Sequence, residues 1–123
     1  DDPSFEMLYA NIKAQDTISF WSTSFIRGTT IDNSIVLVDE SENLNFHELD
    51  SIITRLGVNS KIVFAGDAAQ TDLTKAHEKT GIMDFKKIID DMDEFEGIEF
   101  GIDDIVRSGL VKSYLISKIN LGL

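Results

Sequence analysis

Apolar residues along this chain recur at two spacings, one typical of β-strands and the other of α-helices. Residues 34–38 and 61–65 form short apolar runs rich in β-branched side chains, a pattern that predicts strands buried on both faces of a parallel sheet. Residues 18–21 and 97–100 form weaker runs that predict two further short strands. The strands would alternate with longer segments of helical spacing.

Those helical segments lie before, between and after the strongest strands. Their apolar stripes are Phe5, Leu8 and Ile12; Phe46, Leu49, Ile52, Ile53 and Leu56; Ile82, Phe85, Ile88, Ile89 and Met92; and Leu110, Val111, Tyr114, Leu115 and Ile119. Pro3 fits a first helical turn, Asn45 with Glu48 predicts a capping box, and Gly57 is placed as a C-cap glycine. The alternation predicts an α/β fold with a mainly parallel sheet flanked by helices, in a single domain spanning residues 1–123.

The chain is strongly acidic, with 22 acidic and 11 basic residues and a net charge of −11. Residues 84–104 hold nine acids and two lysines, so this segment supplies −7 of that charge. Such a surface repels phosphate backbones, which predicts that the chain alone does not bind DNA or RNA. Because the chain has no cysteine, thiol catalysis, disulfides and cysteine-ligated zinc are excluded. No membrane span or secretion leader is visible, so a cytoplasmic location is expected.

Two acidic residues, Asp39 and Glu40, follow directly after the apolar run 35–38. Open parallel sheets bind their ligands at the carboxyl ends of the strands. In P-loop ATPases, the first acid of such a pair holds Mg²⁺, usually through water, and the second polarises the attacking water. Acids also follow buried strands simply because the chain reaches the surface there, so the pair alone fits either interpretation.

A second polar motif, Gly66-Asp67-x-x-Gln70, follows the run 61–65 in the same way. It resembles the third motif of helicase-type ATPases, in which the glutamine contacts the γ-phosphate or the attacking water. A glutamine amide suits this role because it can donate to a phosphate oxygen and accept from water. Two such strand ends, separated by one helix, make a chance Gly-Asp turn a weaker explanation.

These motifs belong to a longer ordered series. The series consists of Phe25-Ile-Arg27-Gly28-Thr29, Asp39-Glu40, Thr54-Arg55-Leu56-Gly57, Gly66-Asp67 with Gln70-Thr71-Asp72-Leu73, and Asp104-Ile-Val-Arg107. It resembles the PhoH family over roughly residues 18–114. The resemblance implies part of a RecA-like and helicase-like P-loop ATPase core. Where the family usually has Asp-Glu-Ala-Gln-Asn, this chain has Asp39-Glu-Ser41-Glu42-Asn. The two differences, at Ser41 and Glu42, suggest a divergent member of the family, one that a phage could encode.

The resemblance also implies roles for individual residues. The implied catalytic residues are Glu40 as the base, Gln70 as the γ-phosphate sensor and Arg107. The implied cofactor-binding residues are Asp39, Gly66, Asp67 and Arg27, with Asp39 holding Mg²⁺ through water. Arg27 and Arg107 would contact phosphate or a neighbouring subunit, although pairing with the many carboxylates explains them equally well.

The sequence contains no Gly-x-x-x-x-Gly-Lys-[Ser/Thr] loop to hold phosphates. Since the family carries that loop upstream, the chain is expected to be the C-terminal part of the core, with the N-terminal P-loop segment as its missing partner. ATP and Mg²⁺ are expected in the intact parent and not in this fragment, which alone is expected to be inactive. The parent would act on RNA or in nucleic-acid metabolism, and it could form a homo-oligomer.

Two other interpretations use the same pattern. The chain could be a non-catalytic α/β module that binds a protein partner through an open sheet edge or its acidic face. A phosphoacceptor domain using Asp39 is disfavoured, because residues 18–21 are followed by Ser22-Thr-Ser and not by an acid pair. Without the P-loop strand, residues 61–65 would have an open edge, which we expect either residues 97–100 or a second copy of the chain to cover.

Overall fold

The computed structural model describes residues 3–25, 28–67 and 76–122. The helices and strands along these ranges are α1 (Pro3–Ala14), β1 (Ile35–Val38), α2 (Phe46–Ile53), β2 (Lys61–Phe64), α3 (Ala76–Asp90) and α4 (Gly109–Asn120). Short 3₁₀ turns lie at Thr23–Phe25, Ser41–Asn43 and Ile102–Asp104. The chain divides into two compact units, residues 1–88 and residues 89–123.

The sheet of the first unit joins β1 and β2 in parallel, with Ile35 opposite Lys61 and Val38 opposite Phe64. On one face of this sheet, Val38 packs with Ile52 of α2 in the buried core. The half-buried hydrophobic residues around them are Ile31, Val36, Leu44, Ile62 and Phe64. The predicted α/β class, with a parallel sheet flanked by helices, is therefore confirmed.

The opposite face of the sheet is open, and here the sequence prediction is wrong. Ile35 is 78% exposed, Leu37 is 66% exposed and Val63 is 50% exposed. Both strands were predicted to be buried on both faces because they read as continuous apolar runs. Within the described residues, however, helices cover only the face that carries Val36 and Val38. Apolar patterning shows that a surface requires cover and does not show which segment provides it.

Two of the predicted strands do not form. Residues 18–21 and residues 97–100 are both irregular rather than extended ladders. A strand is stabilised by hydrogen bonds to a neighbouring strand, and the described part of the chain supplies none for these segments. The sheet of the described residues has only β1 and β2, and residues 97–100, which belong to the second unit, form no strand. Cover by a second copy of the chain stays a prediction.

Helix α2 begins with the predicted capping box. The Asn45 side chain accepts a hydrogen bond from the Glu48 N–H at 2.9 Å, and the Glu48 carboxylate accepts one from the Asn45 N–H at 3.0 Å. These bonds satisfy two donors that the helix itself leaves unpaired. The capping residues thus fix the direction in which the chain leaves the turn after β1.

The end of α2 differs from the prediction, because Thr54 and not Gly57 lies at its C-cap. Gly57 instead follows an isolated parallel bridge between Ile31 and Leu56: its N–H donates to the Ile31 carbonyl at 2.8 Å. A Cβ on Gly57 would collide with the Asp32 carboxylate, which accepts the Val58 N–H at 2.7 Å. Glycine is needed here for close approach of the two segments and not to end the helix.

The second unit contains the end of α3, the turn Ile102–Asp104 and helix α4. The Asp104 carboxylate accepts the Gly101 N–H at 2.7 Å and so begins the turn. Val106 is 94% exposed and Leu110 is 83% exposed, so this unit buries little of its apolar surface. In the part of the chain that the structure describes, no helix has the length and apolar character needed to cross a membrane.

Candidate functional site at the carboxyl edge of the sheet

The two polar motifs lie at the same edge of the sheet. Because β1 and β2 are parallel and in register, the residues that follow them emerge side by side. Asp39 and Glu40 follow β1, while Gly66 and Asp67 follow β2 after Ala65. The last hydrogen bond of the ladder joins the Ala65 N–H to the Val38 carbonyl at 2.8 Å. The predicted neighbourhood is therefore present for the acid pair and for Gly66 and Asp67 of the second motif.

The turn after β1 is sharp because Glu40 adopts a left-handed conformation, with φ 50° and ψ 42°. This conformation is sterically unfavourable for a residue with a side chain, and such residues cluster at functional sites. The Glu40 N–H donates to the Asp39 carboxylate at 3.0 Å, and the Asn43 side-chain amide donates to the Glu40 carboxylate at 3.3 Å. Both acids stay exposed at the edge.

Ser41 ties this turn to the end of β2. Its N–H donates to the Ala65 carbonyl at 2.9 Å, and its hydroxyl donates to the same oxygen at 3.0 Å. Ser41 is only 4% exposed, although its neighbours Asp39 and Glu40 face solvent. Because the backbone N–H and the hydroxyl of this buried residue both donate to Ala65, Ser41 fixes the spacing between the two strand ends.

Glu42 makes a second connection, one residue further on. Its half-buried carboxylate accepts the Asp67 N–H at 3.2 Å. Gly66 lies beneath this contact: a Cβ there would be 2.6 Å from the Ser41 hydroxyl and 3.2 Å from the Glu42 backbone N, and it would collide with the Glu42 carboxylate. Glycine at this position thus allows the Glu42 carboxylate and the Ser41 hydroxyl to lie against the backbone of the Gly-Asp turn.

Sequence reasoning did not assign Ser41 and Glu42 to the site. They were recognised only as departures from the family pattern that suggest a divergent member. The available signal was their position directly after Asp39 and Glu40, in the turn that lies next to the end of β2. Which of the side chains would turn inward could not be read from that position.

The structure does not describe all of the remaining predicted site residues. Arg27 and Gln70 lie outside the described residues, as do Thr71 and Asp72. Arg107 is exposed in the second unit, which the structure describes separately from the sheet edge. The structure therefore brings together Asp39, Glu40, Gly66 and Asp67, while the roles predicted for the two arginines and the glutamine stay predictions.

The donors at this edge fit a metal ion that is held mainly by water and phosphate. Within residues 3–25, 28–67 and 76–122 there is no group of three or more acidic or histidine side chains that could enclose a metal. Mg²⁺ typically keeps several waters and binds one or two carboxylates together with substrate phosphates. An exposed carboxylate such as Asp39 suits that arrangement.

Two grooves of the described residues lie away from the candidate site. A groove of about 290 Å³ lies beside α2, between Thr23, Ser24 and His47. Another, of about 410 Å³, lies at the opposite, amino ends of the strands, between Asn33, Asn59 and Lys61. We place the site by the chemistry of the strand ends, because neither groove includes the acid pair or the Gly-Asp turn.

The fold and this edge together define a class of protein. A parallel sheet flanked by helices, with an acid pair and a Gly-Asp turn at adjacent carboxyl ends, is consistent with part of a P-loop NTPase-like core. Each of these motifs is only a few residues long. The assignment to this class therefore rests on their common position at one edge of the sheet and not on any single residue.

Comparison with known proteins narrows the class to a family. The family model described as "PhoH-like protein" matches residues 5–117. The chain is 35% identical over 88 residues to a PhoH-like protein of Bacillus subtilis, covering 72% of this chain and 27% of that protein. It is 37% identical over 92 residues to one of Synechocystis, covering 72% and 27%. It is 34% identical over 93 residues to Protein PhoH of Escherichia coli, covering 75% and 26%.

The chain belongs to the PhoH-like family. It spans about a quarter of the length of these curated relatives, with 27%, 27% and 26% of their residues covered. The matched region includes both motifs of the sheet edge.

Proposed function

We propose that this chain is the part of an ATP-hydrolysing, helicase-like PhoH-type protein that supplies the magnesium ligand and the catalytic base. The observation that carries the proposal is the joined edge of the sheet. There, hydrogen bonds from Ser41 and to Glu42 hold the acid pair of β1 beside the Gly-Asp turn of β2. A preorganised pair of strand ends is what phosphoryl transfer requires, because its catalysis is mainly positioning and charge stabilisation.

Each residue of the edge has a distinct part in this proposal. Asp39 would hold the magnesium ion that accompanies ATP through a water, and such an ion would supply positive charge at the phosphates. Glu40 accepts a hydrogen bond from the attacking water and orients it. Gln70 contacts the γ-phosphate side, while Arg27 and Arg107 supply positive charge to phosphate or act across a subunit contact. The phosphate-binding loop comes from another segment of the same protein.

Hydrolysis by the complete gene product tests the proposal. Glu40→Gln is expected to lower kcat by about 10²-fold or more, since it removes the water-orienting carboxylate without changing the side-chain shape. Asp39→Asn is expected to raise the magnesium concentration needed for half-maximal rate. Glu94→Gln, which removes an exposed acid in the second unit, is the matched control and should leave the rate unchanged. Equal rates in all three variants would refute the assignment.

The isolated 123-residue chain gives a complementary measurement. Because the sequence has no phosphate-binding loop, calorimetric titration with Mg-ATP is expected to show no detectable binding. Clear binding that Asp39→Ala abolishes would show that the site assembles without that loop. In that case the division of labour between this chain and another segment would be wrong, while the role of Asp39 would stand.

The proposed cellular role is in nucleic-acid metabolism in the cytoplasm, with RNA as the ligand of the intact protein. The acidic segment 84–104 does not provide the contact, because nucleic-acid affinity comes from Lys and Arg neutralising phosphates. The complete gene product is therefore expected to bind RNA with an affinity that falls as salt rises, and this chain alone is expected not to bind. RNA binding by the isolated chain would contradict this assignment.

A second candidate function is supported by the open face of the sheet. Ile35, Leu37 and Val63 expose apolar surface on a parallel sheet, and such sheets normally have both faces covered. A protein-binding module without catalysis would use this face or the free edge of β2. Unchanged ATP hydrolysis on Glu40→Gln, together with loss of a protein partner on Leu37→Asp, would favour this function over the first.

A further inference from the structure

The side chain of Glu42 spans the gap between the two turns of the site. We propose that Glu42 is a positioning residue, whose carboxylate holds the Gly66-Asp67 turn in place by accepting the Asp67 N–H. This inference rests on the proposed function, because it describes how the hydrolytic edge keeps its shape. It assigns Glu42 no contact with nucleotide.

The geometry around Glu42 supports this role from two sides. On its own side, Glu42 lies in the 3₁₀ turn Ser41–Asn43, which is fixed to β2 by the two hydrogen bonds of Ser41 to the Ala65 carbonyl. On the far side, its carboxylate oxygen is 3.2 Å from the Asp67 backbone N. The carboxylate therefore connects a fixed point to a turn that has left the sheet.

Gly66 shows how closely the two turns approach. The position that a Cβ of Gly66 would occupy is already taken by the Glu42 carboxylate and the Ser41 hydroxyl. A larger residue at this position would push the Glu42 carboxylate or the Ser41 hydroxyl away from where it now lies.

The hydrogen bond from the Asp67 N–H to the Glu42 carboxylate, called the tie below, lies close to a residue with a proposed catalytic role. The Asp67 N–H is three residues before Gln70, the residue proposed to contact the γ-phosphate side. Ser41 fixes only Ala65, which is still at the strand end. Glu42 carries the connection two residues further, so it constrains the direction in which the following residues leave the sheet. Positioning errors of about 1 Å at a reacting group can cost about 10²-fold in rate.

Amide hydrogen exchange in the 123-residue chain, followed by NMR, tests the tie without any nucleotide. Glu42→Ala is expected to speed exchange of the Asp67 amide about tenfold or more, because its acceptor is lost. Glu42→Gln keeps an oxygen acceptor and should change that rate less than about threefold. The Ala65 amide, bonded to the Val38 carbonyl at 2.8 Å, is the internal reference and should keep its rate. Glu94→Ala is the matched removal of an exposed acid and should change neither amide.

Each alternative result overturns the proposal. An unchanged Asp67 rate in Glu42→Ala would mean that the carboxylate does not hold the turn. Equal acceleration of Asp67 and Ala65 would mean that Glu42 supports the fold as a whole and not this turn. If Glu42→Ala does not fold, the unsubstituted chain decides: an Asp67 amide that exchanges as fast as an amide of an unstructured peptide would refute the proposal, and one slowed about tenfold or more would support it.

A kinetic readout in the complete gene product separates this inference from the proposed function. Glu42→Ala should lower kcat with little change in KM, and Glu42→Gln should restore kcat. Altered amide exchange in a protein that does not hydrolyse ATP would leave the tie standing and refute the proposed function. Active hydrolysis with kcat unchanged in Glu42→Ala would leave the function standing and refute the positioning role.

Discussion

The core of the first unit depends on Leu49, the side chain of α2 with no exposed surface. Leu49 is 0% exposed, and Ile52 on the same stripe is 2% exposed. We expect Leu49→Ala to destabilise this unit strongly. Leu37→Ala is the matched control, because the same atoms are removed from a side chain that is 66% exposed on the open face of the sheet.

The expected magnitudes follow from these exposures. The substitution removes three carbon atoms, and burial of each contributes about 0.8 kcal/mol. For Leu49 this gives about 2.4 kcal/mol, and the cavity left behind adds up to about 2 kcal/mol. The expected loss is therefore about 2.5–4.5 kcal/mol. For Leu37 only about a third of the side chain is covered, so the expected loss is about 0.8 kcal/mol.

Urea unfolding followed by circular dichroism measures both losses as differences in the free energy of unfolding. A small unit with marginal stability could be largely unfolded by Leu49→Ala, and the collapse of its amide spectrum would then serve as the readout. Equal losses for the two variants would refute the reasoning. They would mean that the face carrying Leu37 is covered in solution, and sedimentation at two protein concentrations would show whether a second copy provides that cover.

Three further changes test individual contacts by the same unfolding measurement. Asn45→Ala removes the cap of α2 and should cost about 1 kcal/mol, and Asn45→Ser should recover most of it. Gly57→Ala should cost about 1–3 kcal/mol, since its Cβ collides with the Asp32 carboxylate, and Gly97→Ala, with open space around it, should change little. Phe85→Ala should cost about 3–5 kcal/mol, because this 3%-exposed ring packs edge-on against a neighbouring ring at 4.9 Å.

The parts of the fold that could be predicted are those fixed by local sequence. The β1 and β2 runs, the Asn45 capping box and the helix α4 all depend on residues a few positions apart, and the structure has each of them. The strands predicted at residues 18–21 and 97–100 do not form, and the reason is the opposite one. Their conformation depends on a partner strand, and their own sequence carries no information about whether that partner is present.

The same distinction applies to the site. That Asp39 and Asp67 would lie at one edge could be predicted, because parallel strands bring their carboxyl ends together. The hydrogen bond from the Asp67 N–H to Glu42 could not be predicted, because it depends on which side chain of the segment 40–43 points toward β2. That choice follows from the left-handed backbone of Glu40, which turns Ser41 inward. A single positive φ angle at an acidic residue is not readable from composition or spacing.

The contacts of Glu42 also change the meaning of its departure from the family pattern. An amide oxygen at this position could accept the Asp67 N–H just as the carboxylate does, since both side chains have the same length and an oxygen at the same place. Replacing the usual glutamine by glutamate therefore keeps the geometry of the edge and adds one negative charge beside Asp39 and Glu40. The added charge opposes the approach of phosphates, and this cost is greatest where magnesium is scarce. We therefore expect Glu42→Gln to lower the magnesium concentration needed for half-maximal hydrolysis by the complete gene product; an unchanged requirement would show that the carboxylate lies too far from the phosphates to affect them.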